Sequence, residues 1–233
     1  MDRSPEAPKL SVIIPCYNEK ERIVELVNSV LAAPIHPKEV IVVDDGSTDG
    51  TRELLAQKVE PLVSKVLYAP LNAGKGAAIR RGLREAHGEV VIIQDADFEY
   101  SPTEYPQVVD PVLDGQADAC YGSRFAQGWR IPGAYWSNLL ANHFLTWLSN
   151  RFTGLGLTDM ETCFKAIRRE VFQSLELCED RFGIEPEVTA KLAHSKCRVL
   201  EVPISYRPRT HAAGKKIGFK DGWQAVWCIL KYR

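Results

Sequence analysis

Short β-branched runs alternate with helical patterns through the first half of the chain. Ser11-Val12-Ile13-Ile14-Pro15, Val40-Ile41-Val42-Val43-Asp44, Val66-Leu67-Tyr68 and Val90-Val91-Ile92-Ile93-Gln94 are nearly continuous apolar segments that read as strands. Glu19 to about Ala33, Asp49 to about Val59, Lys75 to about Ala86 and Thr103 to Asp114 read as the helices between and after them. Strands apolar on both sides must be covered on both sides, so the pattern predicts an α/β architecture with a mostly parallel central sheet flanked by helices. From about Gly133 the order changes to longer helical segments, with Ala119–Gly122, Cys163–Ile167 and Val199–Tyr206 as strands. No repeat, low-complexity stretch or linker divides residues 1–233, which predicts one domain.

Composition narrows the class. The 233 residues are 45% hydrophobic and 25% charged, enough for one substantial core. A formal net charge of -1 argues against nucleic acid as a partner. Six scattered cysteines form no C-x-x-C pair, which suggests neither zinc nor a disulfide framework and fits a reducing, cytoplasmic compartment. Met1 to Lys9 lacks the apolar core of a signal peptide, and no uninterrupted apolar run approaches the roughly 18 residues of a membrane span.

In open α/β sheets ligands lie beyond the carboxyl ends of the strands. The segments there are Pro15-Cys16-Tyr17-Asn18-Glu19, Asp44-Asp45-Gly46-Ser47-Thr48-Asp49, Asn72-Ala73-Gly74-Lys75-Gly76 and Gln94-Asp95-Ala96-Asp97. Helix caps and turns account for each loop singly. They do not account for paired carboxylates in two loops and a Gly-Lys-Gly at a helix start in a third. Carboxylates two residues apart at a strand end can hold a hard divalent cation, which in turn can hold a diphosphate.

The ordered series Pro15-x-Tyr17-Asn18-Glu19, Asp44-Asp45-Gly46-Ser47-x-Asp49-Gly50, Asn72-x-Gly74-Lys75-Gly76, Asp95-x-Asp97 and Gly122-Ser123-Arg124 resembles the family 2 glycosyltransferases with a GT-A fold. It is most similar to their polyprenyl-phosphate branch, the dolichyl-phosphate mannose and glucose synthases, from about Leu10 to Lys231. The resemblance implies a Rossmann-like half, about 10–125, that takes a UDP- or GDP-linked sugar, and an acceptor-side half, about 126–233. Pro15, Tyr17 and Glu19, with Asp44 or Asp45, fall where the family surrounds the base and ribose. Lys75 falls near the nucleotide, although it reads equally as a solvated helix cation. Asp95 and Asp97 would hold Mg²⁺ or Mn²⁺ on the donor diphosphate, Asp97 more directly.

On the acceptor side the resemblance puts Arg124 near the acceptor phosphate, where a guanidinium can bond two oxygens. Asp159, in Thr158-Asp159-Met160-Glu161-Thr162, is the candidate carboxylate near the reacting phosphate. Glu185 and Glu187 are weaker candidates, since acids at a helix start also complement its dipole. Arg207 to Lys216 carries four cations and no acid, and matches the family's basic loop. Arg209 and Lys215 there would stabilise charge on the departing diphosphate.

Ile131 to Asn150 contains no Asp, Glu, Lys or Arg and sets Trp136, Leu139, Leu140, His143, Phe144, Trp147 and Leu148 at helical spacing. That stripe reads either as an interfacial helix at a bilayer surface or as one packed on the sheet. A last helix runs from Phe219 to Tyr232, and the end of the chain at Arg233 leaves attachment to the cytoplasmic face of a membrane peripheral or through a partner. The combined expectation is a metal-dependent inverting transferase moving a sugar from a nucleotide sugar to a polyprenyl phosphate. Two other readings stay open: a glycan or protein hydroxyl acceptor, with Asp159 as base, and a silent nucleotide-sugar-binding protein.

Overall fold

The computed structural model describes residues 7–128, 130–208 and 219–233. Its elements are β1 (Leu10–Cys16), α1 (Ile23–Ala32), β2 (Lys38–Asp44), α2 (Thr51–Leu54) continued by a π turn (Leu55–Val59), β3 (Lys65–Tyr68), α3 (Lys75–Leu83), β4 (Val90–Ile93) and α4 (Tyr105–Leu113). The second half adds β5 (Ala119–Ser123), α5 (Trp136–Thr153), β6 (Lys165–Arg168), α6 (Arg169–Ser174), α7 (Ile184–His194), β7 (Val199–Pro203) and α8 (Phe219–Lys231).

The seven strands form one sheet in the order β3-β2-β1-β4-β6-β5-β7. β1 to β4 are parallel, β6 runs antiparallel to both its neighbours, and β7 is parallel to β5. Alternate side chains feed two cores, because successive strand residues point to opposite faces. Val12, Ile14, Val40, Val42, Val90 and Ile92 pack under α1 and α4. Ile13, Ile41, Val43, Val91 and Ile93 pack under α3, α6 and α7. Each such fully buried aliphatic side chain contributes about 1.5–3 kcal/mol, which is why these strands are apolar throughout.

Several ends differ from the pattern, and each has a local cause. α1 begins at Ile23 because Glu19 sits in a turn whose carbonyl accepts from the Arg22 and Ile23 amides. β6 begins at Lys165, since the Cys163 amide goes to the Tyr100 hydroxyl and that of Phe164 to Thr162 Oγ1. β7 stops at Pro203, because the Ser205 amide bonds the Glu104 carboxylate and that of Arg207 the Glu99 carbonyl.

Strand order reverses direction between β1 and β4. The crevice beyond their carboxyl ends is the topological switch point, where ligands of open α/β sheets lie.

Candidate active site

The loops after β1 and β2 are laced together. Asn18, at φ 53°, accepts from the Thr48 amide at 2.8 Å, and its own amide donates to Ser47 Oγ at 2.9 Å. Glu19 is buried, its amide donating to Thr51 Oγ1 at 3.0 Å and its carboxylate 3.5 Å from Arg22. Pro15 and Tyr17 flank this turn half-buried at the crevice.

Asp44 and Asp45 are both buried, and they brace different segments. Asp44 pairs with Arg52 at 3.0 Å and accepts from the Ser47 amide. Asp45 accepts from Asn72 Nδ2 at 2.9 Å and from the amides of Ala73 and Gly74 at 3.0 and 2.7 Å. One side chain thereby fixes the entry to α3. That entry also packs closely on the chain before α7: a Cβ on Gly74, at φ +109°, would lie 2.5 Å from the Asp180 carbonyl oxygen.

Lys75 is not a solvated cation. Its ammonium lies 2.8 Å from Asp95 Oδ1 and 3.4 Å from Glu185 Oε1, and donates to Cys163 Sγ at 2.7 Å. Burial works against this charge, but Asp95 and Glu185 outweigh it and hold the lysine well above its usual pKa. Glu185 also pairs with the buried Lys165, so the start of α3, the end of β4, the start of β6 and the start of α7 meet in one charged cluster. Burial, with Asp95 adding to it, holds the Cys163 thiol protonated.

The Asp95-x-Asp97 turn is braced from behind. The buried Gln94 accepts from the Tyr105 hydroxyl at 3.0 Å and donates to the carbonyls of Asp95 and Tyr100. Asp97 Oδ1 accepts from the Glu99 amide at 3.1 Å across Phe98, which is held at φ 60°. A bulky residue with positive φ stores strain of order 1–3 kcal/mol and persists only where its surroundings impose it. Glu99 in turn accepts from the Tyr206 hydroxyl at 2.8 Å and its carbonyl from the Arg207 amide. The segment leading toward the basic loop is thus tied to the acidic turn. Arg209 and Lys215 themselves lie outside the described residues.

Among the described residues no group of three or more His, Cys, Asp or Glu side chains could hold a metal ion by itself. Asp95 and Asp97 still suit Mg²⁺ or Mn²⁺, because such ions are commonly held by one or two carboxylates together with substrate phosphate oxygens and water.

Arg124, just past β5, forms a forked pair with Asp159. Nε and Nη2 donate to the two carboxylate oxygens at 2.7 Å each, and the Arg124 amide adds a third bond at 3.0 Å. The guanidinium also lies over the Phe125 and Tyr206 rings at 5.5 and 5.2 Å. It lines a cavity of about 270 Å³ with Ser123, Gln127, Arg130, Ile131 and Tyr206. Asp159 is fully buried, with both its carboxylate oxygens bonded to the Arg124 guanidinium at the cavity wall. Glu187, equally buried, accepts from the amides of Cys178 and Glu179 and pairs with Lys191, so it braces the chain before α7.

Gln94, Glu99, Cys163, Lys165 and Tyr206 join this cleft without having been singled out by sequence pattern. Only their closeness to Asp95 and Asp159 along the chain, or to a strand end, carried a signal.

The mixed seven-stranded sheet, with polar loops at its switch point and an acidic turn between them and a basic cavity, has the architecture of a GT-A glycosyltransferase fold. Residues 11–176 match the description "Glycosyl transferase family 2", and the chain belongs to that family. It is 31% identical to a dolichol-phosphate mannosyltransferase of Pyrococcus furiosus over 90% of its own length and 60% of that protein's. It is likewise 31% identical to a polyprenol monophosphomannose synthase of Mycolicibacterium smegmatis, over 89% of this chain and 80% of that one. The chain therefore spans less than two thirds of the first of these relatives. In structure it is similar to glucosyl-3-phosphoglycerate synthase of Mycobacterium tuberculosis, solved with Mn²⁺, UDP and glucosyl-3-phosphoglycerate, at TM-score 0.73, 19% identity and 97% and 80% coverage of the two chains. That likeness carries the fold.

Proposed function

We propose that the protein transfers a sugar, with inversion, from a UDP- or GDP-linked donor to a polyprenyl phosphate. The observation that carries this reading is the Arg124–Asp159 fork at the mouth of the 270 Å³ cavity, on the acceptor side of the Asp95 cluster. Fixed cations suit an acceptor that arrives ionised. A phosphate monoester has a second pKa near 6 and is already a nucleophile at neutral pH. A hydroxyl would need a base, and Asp159 is engaged through both oxygens.

Asp95 and Asp97 would hold Mg²⁺ or Mn²⁺, which would supply positive charge to the donor diphosphate. Lys75 neutralises Asp95 and faces the same crevice. Asp44, Asp45, Glu19, Pro15 and Tyr17 shape the nucleotide side, the first two by holding the loops that enclose it. Arg209 and Lys215 are assigned to the charge on the leaving diphosphate by resemblance, supported by the Glu99–Tyr206 bond that brings their segment's root to the acidic turn.

The membrane face of this reading rests on α5 and α8. Trp136, Leu140, Phe144 and Trp147 on α5, and Trp223 and Trp227 on α8, are each about half exposed or more. The two helices share a small core of Leu145, Met160, Ala225 and Ile229. Aromatic rings presented to solvent on neighbouring helices suit the headgroup layer of a bilayer. No helix among the described residues is long and apolar enough to cross it.

The test is transfer from a panel of nucleotide sugars, with Mn²⁺, to a short polyprenyl phosphate and to soluble sugar hydroxyls, read by product mass, with vesicle flotation alongside. Wild type should use the lipid phosphate and float with vesicles, and Arg124→Ala should lose transfer. Transfer to a hydroxyl alone, with Arg124→Ala fully active, would overturn the reading.

A further inference from the structure

Two guanidiniums, those of Arg124 and Arg130, line the cavity of about 270 Å³, and among the described residues no carboxylate lines it. Arg124 brings little net charge to that space, because its Nε and Nη2 are taken by the two oxygens of Asp159 at 2.7 Å each. The net positive charge facing the cavity is that of Arg130.

Both guanidiniums are laid on aromatic rings. Arg124 lies over Phe125 and Tyr206 at 5.5 and 5.2 Å, and Arg130 lies over Trp136, the first residue of α5, at 5.1 Å. A ring centroid within about 6 Å attracts the cation, and a guanidinium stacked by its face keeps its in-plane N–H groups for an anion. Arg130 is exposed between β5 and α5, so without the ring its long side chain would sample many rotamers. Ile131, Pro132 and Ile204 give the same cavity an apolar side.

We propose that Arg130 is a second phosphate-binding residue of the acceptor site: together with Arg124 it clamps a phosphate monoester carried on an apolar chain, and Trp136 is the positioning residue that holds Arg130 in place. This rests on the phosphate acceptor proposed above. A monoester is close to a dianion at neutral pH, and the Arg124–Asp159 pair by itself offers it hydrogen bonds with little net charge. Arg130 supplies the charge. Its planar fork matches two phosphate oxygens at once, which a lysine ammonium does only as a point charge. The apolar side formed by Ile131, Pro132 and Ile204 takes the first carbons of the chain, so the cavity reads both ends of the phosphoester bond.

The experiment is calorimetric binding of farnesyl phosphate, its singly charged methyl ester, farnesol and inorganic phosphate to wild type, Arg130→Gln, Arg130→Lys, Trp136→Phe and Trp136→Leu. Wild type should bind farnesyl phosphate about tenfold or more tighter than either the methyl ester or inorganic phosphate. Arg130→Gln should lose about tenfold or more for farnesyl phosphate, the low end for a hydrogen bond to a charged group, and with it most of the preference over the methyl ester. Arg130→Lys should recover part of both. Trp136→Leu should weaken farnesyl phosphate several-fold, and Trp136→Phe, which keeps a ring, should restore it. Full affinity and full preference in Arg130→Gln would overturn the role of Arg130 and leave the phosphate acceptor standing. An equal loss for farnesol would overturn it too, since the arginine would then serve the fold or the chain. Inorganic phosphate bound as tightly as farnesyl phosphate would overturn the apolar chain as part of the ligand. Absence of farnesyl phosphate binding in wild type would instead condemn the phosphate acceptor itself, and this inference with it.

Discussion

Lys75 and Asp95, from the start of α3 and the end of β4, meet at 2.8 Å with both side chains largely out of water. The pair links the glycine-rich entry to α3 with the acidic turn, and through Glu185 it reaches α7. Removing one partner of a buried pair leaves an uncompensated charge, which costs about 3–5 kcal/mol. Lys75→Met should therefore lower the urea-unfolding free energy by about that much at pH 7. The loss should shrink when Asp95→Asn is combined with Lys75→Met, because the double variant strands one charge fewer. Equal losses in the single and double variants would show that lost packing, rather than stranded charge, dominates.

Asp97→Asn removes a ligand charge while conserving volume. Turnover should fall by two orders of magnitude or more, since the donor diphosphate loses a charge partner. Thermal unfolding should stay within a few degrees of wild type, because Asp97 is half-exposed and its Oδ1 bond to the Glu99 amide can be kept by an Asn oxygen. Excess EDTA should abolish wild-type transfer and added Mn²⁺ restore it. Full activity in EDTA would remove the metal from the scheme.

Gly76 separates helix propensity from packing. Alanine is better than glycine inside a helix by about 1 kcal/mol. A Cβ at Gly76 would lie 2.2 Å from the Glu179 carbonyl oxygen, a backbone atom that cannot move alone. Overpacking of this kind costs about 1–3 kcal/mol, so the clash should win. Gly76→Ala is expected to be destabilised in denaturant titration and to loosen the contact between α3 and residues 179–180. A stabilised Gly76→Ala would show that this contact yields easily.

Glu161, in the loop between α5 and β6, makes a prediction about stability. Burial raises its carboxyl from 4.5 to about 7 in the folded protein, so the native state binds the extra proton between those values. Stability from this group is therefore lost as pH rises from about 4.5 through about 7, and the whole cost is present above. Glu161→Gln escapes it. The variant should match wild type near pH 4 and exceed it at pH 8 by up to about 3 kcal/mol, taking about 1.4 kcal/mol per pKa unit. Unfolding free energies at the two pH values measure this directly, and a pH-independent difference would contradict the shift.

The sheet was legible because its signal is local. Four apolar runs followed by polar, turn-forming loops require a covered parallel sheet with its chemistry at one edge, and Asp95 and Asp97 stand where that rule puts them. Partner choice was not legible. Nothing in Lys165–Arg168 states that it runs antiparallel between β4 and β5, because register and direction are set by what lies across the ladder. The α5 stripe makes the same point. The sequence left it either packed or interfacial, and the fold divides it: Leu139 turns inward with Leu145, Thr146 and Ser149, while Trp136, Leu140, Phe144 and Trp147 turn outward. Helical spacing fixes which residues share a face but not which face meets the core.

Among the site residues, the kinds of group present can be read along the chain: carboxylates at strand ends, a lysine at a helix start, an arginine after β5. How those charges pair is settled by the fold. It buries Lys75 against Asp95, bonds Asp159 to Arg124, and commits Asp45 to the loop before α3. It also leaves Glu161 without a partner for its Oε1 among the described residues. The physical reason is that Coulomb energies and burial depend on distances across the fold, between residues tens of positions apart, and those distances exist only once the sheet has closed.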